Sequence, residues 1–443
     1  MTSGRRAARE AGRGGWVQDR MMTANRSAAF AAGGAAVGGL LFGADTSTMN
    51  GAINGIRPEF ALETSLVGFV VAISILGCAA GALTAGRIAA RFGSVGTMRL
   101  GGAVVAAGSV AAALVPAALP LSVCRLVVGF GIGLLSVVVP GYITEISPES
   151  IRGRLASLWQ LAIVLGIFLG LVVDYLLRER AGAADAELLW GGAAWRWMFV
   201  VIALAAIVQL LIASRLPEPI RTGDSAPRGG FVVLRGAVFG LKPIVWVGIV
   251  VAALQQFVGI NVIFFYSTTL WKSVGFSEDD AFVTSLLTAL VNIAATVAAI
   301  GLVDRLGRRP LLLGGAAGMA VSLGVLAVCF ASATGEGDAI ALPQPAGTIA
   351  LVAANLFVIA FGVSWGPLMW VVLGELFDTR TRTVALSLTV MVNWLANWLV
   401  TRTFPTLADV SLPLTYGIYT AFAVAALVFT ARTVPETKGL VLT

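Results

Sequence analysis

The stretch VGFVVAISILGCAAGALTAG, residues Val67 to Gly86, contains no charged residue. A helix of about 20 apolar residues is long enough to cross the roughly 30 Å hydrocarbon core of a membrane. Similar charge-free runs recur at Leu100 to Val123 and at Leu155 to Val173. The whole chain is 58% hydrophobic and only 12% charged, which is about half the charged fraction of a typical soluble protein. These features indicate a protein that crosses a lipid bilayer many times.

Charged or Pro/Gly-marked loops divide the chain into twelve apolar spans. Each is predicted to be a helix, because only helices and closed barrels satisfy the backbone in lipid. The runs are too long and too uniformly apolar for the alternating strands of a barrel. Numbered in chain order, spans 1 to 12 are predicted at 28–50, 66–88, 97–116, 120–144, 155–177, 196–215, 243–271, 280–303, 310–331, 347–374, 383–403 and 413–431.

The distribution of basic residues predicts the topology. Most of the 30 Lys and Arg residues lie in the N-terminal tail, in the loops after even-numbered spans and at the C-terminus. Because short cytoplasmic loops are enriched in Lys and Arg, both termini are predicted to be cytoplasmic. This topology accounts for the net charge of +7, so the charge is no evidence for nucleic-acid binding.

Three landmarks in the first half of the chain recur in the same order about half a chain length later. The pair Glu145 and Arg152 recurs as Glu375 and Arg382, RFG recurs as RLG, and LPEP recurs as VPET. Such a repeat predicts two related six-helix bundles with a site between them, as in alternating-access transporters. The predicted domains are a cytoplasmic tail (1–27), an N-terminal bundle (28–216), a cytoplasmic linker (217–242), a C-terminal bundle (243–432) and a short cytoplasmic tail (433–443).

The remaining composition limits the possible chemistry. Cys78, Cys124 and Cys329 lie inside apolar runs without paired spacing, which favours packing over disulfides or metal binding. The chain has no histidine, so proton chemistry must use Asp or Glu. The basic start followed by an apolar run could also be a secretory signal, but a retained first helix is favoured by the resemblance described next.

Several motifs together resemble the sugar porter family of the major facilitator superfamily over essentially the whole chain. DRLGRRP (Asp304 to Pro310) resembles the superfamily loop motif, and LQQFVGINVIFFYSTTLWKSVGFS (Leu254 to Ser277) resembles the family's seventh helix. YITEISPESIRG, LPEPIR, GPLMWVVLGELF and PETKG resemble further family signatures. The resemblance implies an all-α fold of twelve transmembrane helices in two pseudo-symmetric bundles, a central hexose or pentose site, and rocking of one half against the other. It also suggests a monomer that is not an enzyme and needs no cofactor.

The loop between spans 2 and 3 departs from the family pattern. Ala90, Ser94 and Val95 stand where the family has an acidic residue before Arg91 and basic residues after Gly93. Asp378 replaces a common proline. We expect these changes to affect the strength of the cytoplasmic latch on the N-terminal side rather than the fold.

A neutral sugar needs uncharged donors and acceptors for its hydroxyls and an aromatic surface for its apolar ring face. By the resemblance, amides inside the spans lie where the family places its sugar contacts, and Trp370 aligns with a sugar-stacking tryptophan. Gly259 could unwind the helix between Gln256 and Asn261 and turn both inward. Buried amides that only bridge helices remain the alternative. The candidate sugar-binding residues are Phe42, Gln160, Gln255, Gln256, Asn261, Asn292, Trp370, Asn393, Trp394 and Asn397.

A set of charged residues flanks the predicted cytoplasmic ends of the spans. The resemblance implies that they form an ion-pair network that closes the inside of the transporter in one state and breaks in the other. A solvated basic rim that only sets topology is the alternative. The candidate cytoplasmic gate comprises Arg91, Glu145, Arg152, Asp304, Arg305, Arg308, Arg309, Glu375 and Arg382.

Asp45 interrupts an otherwise apolar span 1. Arg125 is the only Lys or Arg that lies well inside a predicted span rather than at its end, and it is therefore the natural partner of Asp45, since unpaired charges in a membrane are costly. In the family, proton-coupled members carry this pair, whereas passive facilitators commonly have an uncharged residue in place of the aspartate. The resemblance therefore implies a proton-coupling role for Asp45 and Arg125, with a purely structural ion pair as the alternative.

The sequence favours a proton-coupled monosaccharide importer of a bacterial cytoplasmic membrane, with sugar, protons and lipid as its partners and no nucleic acid or metal. The excess of Arg over Lys, together with abundant Ala and Gly, suggests a GC-rich bacterial genome. Passive sugar facilitation is the main alternative. A sugar sensor is disfavoured because the predicted C-terminal tail is short, and a drug antiporter is disfavoured by the central amides.

Overall fold

The computed structural model describes residues 26–188, 191–219, 230–265, 271, 278–333, 342–378 and 381–439. Tail residues 1–25 and 440–443 and linker residues 220–229 of the predicted domains lie outside these ranges. The described chain is almost entirely helical. Span 1 is Arg26–Glu59, spans 2 and 3 form Thr64–Leu114, span 4 is Ala118–Ile146, span 5 comprises Arg152–Ala156 and Leu158–Ala181, span 6 is Ala194–Ala213, span 7 comprises Pro243–Phe257 and Ile260–Phe265, span 8 is Glu278–Leu306, span 9 is Arg308–Ala331, span 10 comprises Ala346–Gly362 and Trp365–Leu376, span 11 is Arg382–Val410 and span 12 is Leu412–Thr433.

One glycine separates spans 2 and 3. Eleven helical segments of the described chain are long and apolar enough to cross a membrane. One of them lies in Thr64–Leu114, whose 51 residues would extend about 77 Å as a single straight helix, more than twice the hydrocarbon thickness. Gly93 interrupts it with φ 78°, a left-handed conformation that favours glycine. The segment therefore crosses twice, and the described chain has the twelve predicted spans.

Spans 7 and 10 are broken helices. Span 7 stops at Phe257 and resumes at Ile260 across Gly259, which has φ 82°. A side chain at Gly259 would meet the ring of Tyr419 at 2.7 Å, so both the conformation and the space require glycine. Span 10 stops at Gly362 and resumes at Trp365. Both breaks lie beside the central cavity described below, where irregular backbone is tolerated in membrane proteins.

Close helix packing holds span 1 against span 5. A methyl group on Gly43 would lie only 2.0 Å from the backbone oxygen of Ile163, and one on Gly39 would lie 2.8 Å from that of Trp159. Small residues allow such approach, and in a membrane the resulting dispersion contacts hold helices together. Across the two halves, span 11 contacts the segment of spans 2 and 3, and span 8 contacts span 5.

The linker ends in a small folded element before span 7. A 3-10 turn, Gly230–Leu234, leads into the short strand Arg235–Val238, and Arg235 and Val238 pair with Leu241. The indole of Trp246 in span 7 donates a hydrogen bond to the carbonyl of Val238 at 2.9 Å. This contact fixes the described end of the linker against the start of the second half.

The seam between spans 1 and 5 gives a stability prediction. Gly43→Ala should destabilise the protein by roughly 1–3 kcal/mol, because the added methyl group forces two backbones apart. The matched control is Gly33→Ala in the same span, where a methyl group meets nothing within 4 Å, and it should be neutral or slightly stabilising. Melting temperatures in detergent measure both. Equal melting temperatures for the two variants would contradict the packing described here.

Candidate functional site

The break in span 7 brings two amides together. On an uninterrupted helix, Gln256 and Asn261 would point about 140° apart. Across the break at Gly259, Asn261 Nδ2 donates to Gln256 Oε1 at 2.7 Å. The unwound turn predicted at Gly259 is therefore present, and it turns both side chains toward the centre of the protein.

Four amides form one hydrogen-bonded network. Gln256 Nε2 donates to Gln255 Oε1 at 2.9 Å and to Asn393 Oδ1 at 3.2 Å. Asn393 Nδ2 donates to Gln255 Oε1 and to the carbonyl of Ala252, both at 2.8 Å. With Asn261, the network joins span 7 to span 11 within the second half.

Two tryptophans link this network to the first half of the chain. Trp370 Nε1 donates to Gln160 Oε1 at 3.2 Å, and Trp394 Nε1 donates to Ser136 Oγ at 3.0 Å. Phe42 of span 1 packs edge-on against Trp394 with ring centroids 4.8 Å apart. Each contact crosses between the halves, so the relative position of the halves depends on residues at the centre.

These side chains surround one cavity. Nine of the ten predicted sugar-binding residues line it, together with apolar side chains that carry no functional signal in the sequence. Asn397 does not line the cavity; it is fully buried, and its Oδ1 accepts a hydrogen bond from Thr401 at 3.2 Å. Asn292 lines the cavity, and within the described chain its buried Oδ1 has no hydrogen-bond partner. The lining residues are Phe42, Gln160, Ile163, Val164, Ile167, Gln255, Gln256, Ile260, Asn261, Phe264, Asn292, Phe361, Trp370, Asn393 and Trp394.

Part of the candidate cytoplasmic gate forms a buried ion network. Arg308 donates from Nη2 and Nε to the two carboxylate oxygens of Glu375 at 2.6 and 3.0 Å, and from Nη1 to Asp304 at 3.0 Å. Thr437 donates to Glu375 at 2.6 Å. Asp304 also accepts from the backbone N–H of Arg154 at 3.1 Å, with the Arg154 side chain 3.7 Å away. Asp304 therefore ties the two halves together.

Arg154 was not among the predicted gate residues, which included Arg152 instead. Arg152 and Glu145 lie close enough to Arg382 to interact with it electrostatically, which makes a second charged contact between the halves. Arg382 is 3% exposed and donates from Nη2 to the carbonyl of Phe377 at 3.3 Å.

Three predicted gate residues take other positions. The guanidinium of Arg91 lies over the ring of Phe92, Arg309 donates to the carbonyl of Ala431, and the carbonyl of Arg305 accepts from Lys438. None of these contacts joins the two halves.

Two glutamates that the sequence analysis overlooked cap helices at equivalent places in the two halves. Glu218 accepts from the backbone N–H groups of Ser94 and Val95 at 2.6 and 2.9 Å, next to Gly93. Glu436 accepts from those of Arg308 and Arg309 at 3.0 and 3.1 Å. The LPEP and VPET repeat already contained this signal, because a carboxylate is the natural cap for exposed helix N–H groups.

The cap changes the ionisation of Glu436. Burial raises the pKa of its carboxyl, but the hydrogen bonds from the backbone N–H groups of Arg308, Lys438 and Arg309 and the charge of Arg308 outweigh that effect. The net result is a pKa below the ordinary value for glutamate. The ionised cap therefore stabilises the start of span 9.

The predicted pair inside the membrane is formed. Arg125 Nη1 lies 3.0 Å from Asp45 Oδ1 and Nη2 lies 3.3 Å from Oδ2, while the two side chains are 1% and 7% exposed. Ser74 Oγ accepts from Arg125 at 2.9 Å and donates to Asp45 at 3.3 Å, and Arg125 Nε donates to the carbonyl of Val70. Arg125 also lies over the ring of Phe199. Spans 1, 2, 4 and 6 thus meet at one charge pair.

Comparisons with known proteins agree with this architecture. The family model described as "Sugar (and other) transporter" matches residues 31–221 and 235–443. The glucose transport protein of Synechocystis sp. is 41% identical, with 93% of this chain and 95% of that protein covered. The D-xylose-proton symporter of Escherichia coli K12 is 31% identical, with 92% and 93% covered. The glucose facilitated diffusion protein of Zymomonas mobilis is 33% identical, with 91% and 94% covered.

The fold is also similar to solved structures. The proton:xylose symporter XylE, of the major facilitator superfamily, bound to 6-bromo-6-deoxy-D-glucose, superimposes with a TM-score of 0.83 at 30% identity. The match covers 94% of this chain and 98% of that structure. The twelve-span, two-bundle architecture inferred from the sequence is thereby confirmed.

The Glu436 cap gives a pH prediction. Glu436→Gln should lower stability at neutral pH by about 1 kcal/mol, because the charged acceptor at the helix start is lost. Since the folded pKa is depressed, the stabilisation is present above the pKa of the unfolded chain and is lost as pH falls through the folded pKa. The melting temperatures of variant and wild type should therefore converge on acidification. Glu179→Gln, at an exposed glutamate, is the control and should change little at any pH; a constant gap for Glu436→Gln would contradict the assignment.

Proposed function

We propose that the protein imports a hexose or pentose together with a proton by alternating access. The premise is that the chain belongs to the sugar transporter family of the major facilitator superfamily and is a multi-pass membrane sugar transporter rather than an enzyme. The observation that carries the coupling is the buried Asp45–Arg125 pair. The cavity between the halves carries the sugar assignment.

The chemistry of the cavity supports a neutral sugar. Its polar lining consists of amides, which offer donors and acceptors without charge. Trp370 and Trp394 supply aromatic surface for an apolar ring face. Gln160 comes from the first half, whereas Gln256, Asn261 and Asn393 come from the second, so a sugar held between them contacts both. Binding can then bias the relative position of the halves.

The buried pair supports proton coupling. We take Asp45 as the group that receives the transported proton, because it is a carboxylate enclosed among the spans and paired with Arg125. Protonation removes the charge attraction between span 1 and span 4 and changes their packing. One proton moving through about 100 mV supplies about 2.3 kcal/mol, which corresponds to roughly 50-fold sugar accumulation at about 1.36 kcal/mol per tenfold.

The cytoplasmic network supports alternating access. Asp304 bonds to Arg154 across the halves, and Gly86 N donates to Ser387 Oγ at 3.1 Å across the same interface. These bonds close the side of the protein on which the LPEP and VPET repeats lie. Opening that side requires them to break, which gives the transporter two distinct arrangements. We propose that the protein lies in a bacterial cytoplasmic membrane and that this side faces the cytoplasm. Both termini then lie in the cytoplasm, as the distribution of basic residues favours.

Passive facilitation is the second candidate. The Asp45–Arg125 pair has a full set of partners in Ser74 and Val70, as a structural ion pair would. One relative is named a facilitated diffusion protein, and the 41% identical relative is named without a coupling ion. Under this reading the pair only joins spans 1 and 4.

Reconstituted liposomes distinguish the two candidates. With a symporter, glucose or xylose added outside should raise the external pH, because each sugar carries a proton inward. Asp45→Asn should abolish accumulation against a gradient but leave sugar counterflow, since a neutral side chain still fits the site. Asp185→Asn, at an exposed carboxylate, is the charge-matched control and should keep both activities. Sugar uptake by the wild type without a pH change would rule out symport, and loss of counterflow in Asp45→Asn would make the pair structural.

A pair of asparagine variants tests the sugar site. Asn292→Leu should weaken sugar binding about three- to tenfold, because one hydrogen bond of typical net value is lost. Asn397→Leu changes a buried amide that does not line the cavity, so it should alter stability rather than sugar affinity. Quenching of tryptophan fluorescence by sugar gives the affinities. The reverse pattern, with Asn397→Leu alone weakening binding, would refute the proposed site.

A further inference from the structure

Span 5 contains a second buried carboxyl group, Asp174. The residue is 3% exposed. Within the described part of the chain, neither of its carboxylate oxygens has a hydrogen-bond partner. Asp45, by contrast, has Arg125 and Ser74. Neither the sugar cavity nor the cytoplasmic network uses Asp174.

Asp174 lies on the face of span 5 that lines the cavity. Ile167, a lining residue, precedes it by two helical turns, so the two residues share a face about 10 Å apart along the axis. Under the proposed topology Asp174 lies on the outer side of the cavity. It therefore lies between the cavity and the outer end of span 5.

Span 1 covers Asp174 at a glycine. A methyl group on Gly51 would lie 2.7 Å from Asp174 Oδ2. One turn closer to the cavity, Gly170 lies against the hydroxyl of Ser47, whose hydrogen goes to span 1 carbonyls rather than to Asp174. The seam between spans 1 and 5 thus encloses the carboxyl group without supplying it a donor.

Charged groups on the surrounding elements do not hydrogen-bond to it. On span 5, Arg178 lies one turn further on and takes part in an interaction, but it donates no hydrogen bond to Asp174. On span 1, Asp45 pairs with Arg125 and Glu59 pairs with Arg196 of span 6, while Arg57 lies at the exposed end. On span 10, Glu375 pairs with Arg308. Span 8, which also contacts span 5, begins with the acidic residues Glu278, Asp279 and Asp280.

A carboxylate buried in this way would carry an uncompensated charge, which is far more costly in a membrane protein than a neutral carboxylic acid. We propose that Asp174 is a proton-binding site separate from Asp45. Its carboxylate takes a proton from external water when the seam is open, and the neutral acid is enclosed when span 1 packs on span 5 at Gly51. External acidity therefore favours the closed seam, whether or not Asp45 couples sugar to protons.

Infrared spectroscopy of the purified protein in lipid tests this directly. The wild type should show the carbonyl stretch of a protonated carboxylic acid at neutral pH, and this band should be lost at alkaline pH. Asp174→Asn should lack the band, whereas Asp185→Asn, at an exposed carboxylate, should retain it. A wild type without the band, or a band unchanged in Asp174→Asn, would overturn the proposal.

Sugar counterflow gives a second readout that does not require proton coupling. The wild type and Asp185→Asn should lose most of their counterflow as external pH rises, because the ionised carboxylate opposes closure of the seam. Asp174→Asn, whose side chain stays neutral, should keep its counterflow over the same range. An alkaline loss that persists in Asp174→Asn would refute the role of this group. Failure of the symport proposal would appear only in the liposome pH measurement and leaves both of these results intact.

Discussion

Hydrocarbon offers no hydrogen bonds, and this constraint governs the placement of almost every polar group in the protein. Arg125 distributes its donors among Asp45, Ser74 and the carbonyl of Val70. At the other end of span 1, Arg196 bonds to Glu59 and to two backbone carbonyls at the end of span 3. Each arginine thereby contacts several helices at once, and at the buried Arg125 a charge without a partner would be costly. The polar groups therefore specify which helices are neighbours.

The same constraint explains the state of the central cavity. Its amides bond to one another, and its two tryptophans donate across the halves to Gln160 and Ser136. Under the proposed function, a sugar that enters this cavity exchanges these bonds for bonds to its hydroxyls, so the net energy of each exchange is small. What changes is the connection between the halves, since some bonds that hold them together become bonds to the sugar. Binding and movement are linked through shared donors.

The two halves share the same backbone turn and helix cap after spans 2 and 8, but the side chains around the turn differ. Gly93 and Gly307 both have positive φ, and Glu218 and Glu436 cap the helices that follow. A cap of this kind bonds to backbone N–H groups, so it does not depend on the side chain at the capped positions, provided that the residue is not proline. Among the described residues, a side-chain ion network lies beside this turn in the second half, around Arg308. The loop after span 2 has the same glycine and the same glutamate cap.

The sequence by itself determined the helices and one ion pair. Hydropathy is local, so the twelve spans could be predicted, and the glycine at 259 predicted the broken helix. Asp45 and Arg125 could be paired because no other basic residue lies well inside a predicted span. Only the tertiary structure showed which of two nearby arginines joins the two halves. Arg152 and Arg154 point about 160° apart on a helix, and only the packing of the halves brings Arg154 to Asp304.

The depth of a side chain in the membrane also could not be predicted from the sequence. Asn393 and Asn397 share a helix face, but one turn of helix carries Asn397 beyond the cavity. Composition also gave no sign that Asp174 is buried without a donor, because that depends on Gly51 of a different helix. The local sequence determines where a helix forms and whether it can span the membrane, since both depend on the segment's own periodicity and polarity. Rotation and depth depend on contacts between helices, so only the assembled structure decides which side chains meet.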